Sequence, residues 1–126
     1  MSDNLGKQFD GLGQQAGIGF DDENYKFSIN HLIEHSKNMK VKQLPVGPLF
    51  KTTKEMLGEE SGEVGPERAN RINKADLSFP IIVTKHPTQG HVVLDGTHRL
   101  EKAHGMGMET IGAKIIPWKQ MKRYKA

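Results

Sequence analysis

The chain contains no cysteine. Disulfides, thiolate metal sites and cysteine nucleophiles are therefore excluded, and the absence suits a reducing cytoplasm, the expected location. Long apolar runs are missing too. No stretch approaches the ~20 residues of a helical membrane span, so no membrane partner is expected. Met1 to Phe20 lacks the basic start and apolar centre of a secretory signal. Aromatic residues make up only 6% of the chain and do not interleave with bases as a stacking surface for single strands requires. There is no internal repeat, no low-complexity tract and no Walker-type phosphate loop.

What remains is 126 residues, 35% hydrophobic and 26% charged, enough for one domain with one modest core. The net charge of +3 is unevenly spread. Residues 1–25 carry Asp3, Asp10, Asp21, Asp22 and Glu23 against Lys7 alone, so the rest of the chain sums to +7. A basic body attracts an acidic ligand such as a nucleotide, or a nucleic acid. The composition divides the chain into a flexible acidic N-terminal arm (1–25), a folded domain (26–118) and a basic tail (119–126). That tail either touches a nucleic-acid backbone or is a solvated end.

Local patterns place the elements. Ser28 caps a helix through Met39 with Ile29, Leu32, Ile33 and His35 inward. His31 and His35 have the i, i+4 spacing of a metal pair, but no third ligand is near. Val41–Pro45 reads as a short strand, and Pro45 and Pro48 as a rigid turn. Thr52 or Thr53 then caps a short helix through Leu57, with an exposed loop at 58–65. Pro66 opens a helix whose Arg68, Arg71 and Lys74 form a solvated face or meet phosphate. Ile81–Val83 and His91–Leu94 are strands joined by a hairpin-length link. A helix from Thr97 stops at a left-handed cap near Gly105, and Thr110–Ile116 is a strand ended by Pro117. Strands 91–94 and 110–116 are expected to lie parallel across a right-handed crossover. The fold class is α+β, a small mixed β-sheet with packed helices.

The segment Val92 to Leu100 carries most of the chemistry. An apolar strand stops on Asp95-Gly96 and turns straight into a helix. Such a turn gathers backbone N–H groups at the positive end of a helix dipole, which suits an anion. His98 and Arg99 add cationic donors, Arg99 in the bidentate manner that phosphate favours. A plainer reading stands beside it: Asp95 or Thr97 caps the helix, and His98 and Arg99 are solvated.

From about Val41 to Pro117, roughly 60% of the chain, the sequence is similar to the ParB/sulfiredoxin superfamily of small nucleotide-binding domains. Leu44-Pro45-Val46-Gly47-Pro48-Leu49 resembles the first strand and turn of sulfiredoxins. Asp95-Gly96-Thr97-His98-Arg99 resembles the Gly-x-His-Arg box heading the family's phosphate-binding helix, and residues 109–116 resemble the strand after it. Thr97 stands where sulfiredoxin has its catalytic cysteine, so sulfinic acid repair is excluded. His98 replaces the first arginine of the chromosome-partitioning Gly-Glu-Arg-Arg box, and no helix-turn-helix follows in these residues. The Asp-Gly-x-His-Arg form looks closest to the free-serine kinase branch.

That resemblance implies roles by position. Gly96, Thr97, His98 and Arg99 bind nucleotide phosphates, with Lys51 and Lys54 in the second motif. Asp95 holds Mg²⁺ or orients the acceptor, and Asp95, His98 and Glu55 form the catalytic set. The ligand is ATP or CTP with Mg²⁺, and the reaction is phosphoryl transfer or nucleotide hydrolysis, chemistry done mainly by positioning and charge neutralisation. The alternatives are a nucleic-acid-associated binding module without catalysis, and an interaction domain with a vestigial pocket.

Overall fold

Strand β4 (Ile81–His86) is apolar on both sides, as a strand covered from two directions must be. Ile81 and Val83 enter one cluster of buried side chains and Ile82 another. The computed structural model describes residues 15–20, 23–57 and 66–125 of the chain. In it β4 lies inside a four-stranded mixed sheet with β3 (Lys42–Pro45), β5 (Gly90–Asp95) and β6 (Thr110–Ile116), in the order β3-β6-β4-β5. β4 runs parallel to β6 and antiparallel to β5, and β3 is antiparallel to β6. The α+β class is as expected.

Each sheet face has its own core. On one, Ile82, Val92, Leu94 and Ile116 meet Ile29, Leu32 and Ile33 of helix α1 (Ile29–Ser36), joined by Tyr25, Phe27, Met121 and Tyr124. On the other, Ile81, Val83, Val93, Ile111 and Ala113 meet Val46 and Leu49 of α2 (Val46–Leu57), and Leu100 and Ala103 of α4 (Thr97–Gly105). Helix α3 (Pro66–Lys74) packs beside α4. Full burial of a leucine such as Leu32 or Leu100 contributes about 1.5–3 kcal/mol. Ser28 caps α1 as expected, its hydroxyl accepting from His31 N–H at 3.1 Å.

Several expectations are corrected. Residues 15–20 and 23–25 do not belong to a flexible arm: β1 (Gln15–Phe20) pairs antiparallel with β2 (Glu23–Ser28), and Tyr25 is buried. Residues 1–14, 21 and 22 of that arm lie outside the described residues. The basic tail is not a solvated end either. A 3-10 helix (Trp118–Tyr124) buries Met121 and Tyr124 in the first core, and Lys125 bridges to Tyr25. Pro45 and Pro48 are not a turn before a short helix, because α2 begins at Val46. Proline is tolerated in a first turn, where no N–H bond is lost. Strands β5 and β6 are not a parallel neighbouring pair, since the β4–β5 hairpin sets β4 between them. Helix α1 ends at Ser36 rather than Met39, and the left-handed glycine after α4 is Gly107 (φ 74°), not Gly105.

Candidate functional site

The strand-to-helix turn forms where it was expected, and Gly96 explains its shape. This residue is the N-cap of α4 with φ 106°, a conformation that disfavours any side chain. A Cβ there would lie 2.6 Å from Cγ2 of buried Ile81 and 2.8 Å from an Arg99 guanidinium nitrogen. The glycine is required by backbone conformation and by space alike. Neither Asp95 nor Thr97 is the cap residue, which corrects the plainer reading of the turn. Thr97 and His98 sit half-buried in the first turn of α4, where helical N–H groups converge.

Asp95 and Arg99 are placed differently from the expectation. Arg99 Nη2 donates to Asp95 Oδ2 at 3.0 Å, with the two side chains only 1% and 6% exposed. Arg99 Nη1 also donates to the Pro80 carbonyl at 3.1 Å. This ion pair lies under the turn and ties the end of β5 to the entry of β4. Arg99 is therefore not a solvent-facing phosphate donor. Its i, i+4 partner Ala103 is fully buried, and the two share the inner stripe of α4.

Mg²⁺ fits this arrangement poorly. A hard divalent ion wants wet carboxylate oxygens and keeps several of its own waters. Asp95 is buried and its charge is matched by Arg99. Among the described residues no group of three His, Asp or Glu side chains gathers to hold a metal. His31 and His35 do not form a metal pair. His35 Nδ1 meets the Tyr124 hydroxyl at 2.7 Å and Nε2 meets Gln120 Oε1 at 2.7 Å, clasping the C-terminal 3-10 helix to α1.

Lys51, Lys54 and Glu55 lie exposed on α2, in the layer that also holds α4. The structure does not join them to the turn: none makes a hydrogen bond or ion pair with Asp95, His98 or Arg99 among the described residues. Lys54 Nζ sits 5.4 Å from the Phe50 ring centroid, and that ring stacks on His104 at 3.8 Å. Glu55, the expected base, is exposed and makes no hydrogen bond or ion pair with Asp95 among the described residues. Of the eight residues singled out, Gly96, Thr97, His98 and the Asp95–Arg99 pair come together.

Other histidines carry structure that the sequence did not reveal. Buried His86 accepts at Nδ1 from Thr88 N–H and Gln89 N–H, both at 3.1 Å, and so closes the β4–β5 turn. Trp118 packs edge-on against its ring. His91, on the next strand, is held below the usual imidazole range by burial and then by the Lys85 charge. The signal for His86 was its place two residues before Thr88, the spacing of a side-chain acceptor in a tight turn.

No helix among the described residues is long and apolar enough to cross a membrane. Comparison with known proteins finds no matching family model, no matching curated protein and no matching solved structure.

Proposed function

We propose that this chain is a phosphate-binding module that takes a nucleotide, ATP or CTP, at the Gly96–Thr97–His98 turn and holds it without transferring its phosphate. The resemblance of residues 95–99 to the ParB/sulfiredoxin phosphate box supports the ligand class. So do the left-handed glycine, the helix start behind it, and the half-buried Thr97 and His98 in the first turn. One observation favours binding over transfer: the buried 3.0 Å Asp95–Arg99 pair. It commits to each other the carboxylate and guanidinium that a kinase would need at the reacting phosphate. In this role the pair holds the turn rigid so that His98 and the first helical N–H groups keep their positions.

The test is a thermal-shift panel of ATP, CTP and GTP with and without Mg²⁺, with nucleotide turnover measured alongside. Ligand at tenfold its Kd stabilises by about 1.4 kcal/mol, a rise of several degrees. The expected result is a Tm rise that survives chelation of Mg²⁺, shrinks in His98→Ala, and comes with no turnover. Turnover that needs Mg²⁺ and is lost in Asp95→Asn would replace this reading with the kinase one. No shift with any nucleotide would end it.

A further inference from the structure

A basic groove lies on the opposite side of the sheet, away from the Gly96 turn. A groove of about 430 Å³ opens between β2, α1 and the C-terminal 3-10 helix, lined by Lys26, Phe27, Ser28, His31, Arg123 and Tyr124. That size falls within the range of small-ligand clefts, about 300–1,000 Å³. Its lining holds two permanent cations and an imidazole, and among the described residues no carboxylate. Lys26, His31 and Arg123 are exposed, and none forms an ion pair with a described residue. Their side chains come from three separate elements, so their convergence is a product of the tertiary fold and not of a local charge run.

The floor beneath them is rigid. Phe27 and Tyr124 are buried and pack edge to face at 5.9 Å. The Tyr124 hydroxyl is fixed by His35, and His35 by Gln120. The backbone bridge between Tyr25 and Lys125 ties β2, which carries Lys26, to the end of the 3-10 helix, which carries Arg123. A preorganised frame reduces the ordering cost of binding.

We propose that this groove binds the dianionic phosphoryl group of a phosphomonoester, with Lys26 and Arg123 as its charge partners and His31 as a third donor. Two fixed cations match the charge of a phosphomonoester dianion, and a guanidinium offers it a planar pair of donors. The site shares no residue with the Gly96 turn, so either can fail without the other.

The experiment follows backbone and side-chain resonances of the full chain during titration with inorganic phosphate and, separately, ribose 5-phosphate, at constant ionic strength held with chloride. The expected result is saturable shifts at residues 26–31 and 121–125, with Kd raised at least tenfold in the Lys26→Met/Arg123→Met variant. His98→Ala leaves these shifts unchanged. Both side chains are exposed, so the double variant folds, and an unchanged Tm verifies it. Shifts that grow linearly without saturating, or that the double variant leaves intact, overturn the proposal. Saturable shifts at 96–98 alone would support the nucleotide site and overturn this one. Binding of inorganic phosphate without any gain from the ribose ester supports a site for the phosphoryl group itself.

Discussion

Separating the Asp95–Arg99 pair by mutation tests whether it is a structural clamp or a ligand-binding device. The side chains are 6% and 1% exposed, so removing either partner leaves a charge buried without its counterion. Breaking a buried pair in this way costs about 3–5 kcal/mol. Arg99→Met keeps much of the side chain's volume and should fall in that range, losing the Pro80 contact as well. Asp95→Asn keeps the shape and one acceptor oxygen and should cost somewhat less. The double variant should be more stable than the sum of the singles implies, with a coupling of about 1–3 kcal/mol. For a chain of this length 1 kcal/mol moves Tm by roughly 3–6 °C, so Arg99→Met should melt about 10–30 °C lower. Urea denaturation of the four proteins, with m-values compared, measures the cycle. Singles that each cost under about 1 kcal/mol and add without coupling would refute the clamp. Arg99→Met that keeps its stability while losing nucleotide binding would return Arg99 to the ligand.

Three further outcomes follow from the geometry. Gly96→Ala should cost upward of about 2 kcal/mol by thermal or urea melts, because the new Cβ strains a φ of 106° and strikes Ile81; a neutral substitution would mean the turn adjusts freely. His86→Ala removes the acceptor for two turn N–H groups and should lose about 1–3 kcal/mol, whereas His86→Asn, whose carbonyl can take the same bonds, should recover part of it; equal losses would discount the turn contacts. Burial holds the Tyr124 phenol above its ordinary value of 10.0, with neighbouring Arg123 pulling partly back. A group raised on folding stabilises fully below its unfolded value and loses that contribution as pH climbs through the folded one. Urea midpoints from pH 7 to 11 should therefore fall more steeply above pH 10 in wild type than in Tyr124→Phe, and parallel curves would contradict the burial argument.

The middle of the chain was legible because its signals are local. Apolar runs at 81–83 and 92–94 with a short link between them gave a hairpin, and Gly96 after Asp95 gave the turn. Pairing was not local. Which strand lies beside β6 depends on the β4–β5 hairpin occupying the space that a direct crossover would need. The two ends were misread by composition. Glycine, glutamine and acidic residues suggested an arm at 1–25, yet Ala16, Ile18 and Phe20 alternate with Gly17 and Gly19 in strand period, and Tyr25 and Phe27 repeat it. At the other end Met121 and Tyr124, three apart, were an inward stripe concealed by four bases around them.

The candidate site shows where charge-based reading stops. His98 and Arg99 are adjacent bases in one motif, and residue type alone gives them the same role. Helical geometry separates them by about 100° around the axis. Residues 99, 100 and 103 form the inner stripe of α4, since Leu100 and Ala103 are fully buried. That stripe was visible in the sequence, and it puts Arg99 inside and leaves His98 at the surface. A buried guanidinium needs an anion, and Asp95, four residues earlier across a glycine turn, supplies one at 3.0 Å. The same pair of residues is therefore read as catalytic when taken as a motif and as a clamp when taken as part of a helix face. Burial decides between them, because a charge that meets no solvent can meet a ligand only if the turn first comes apart.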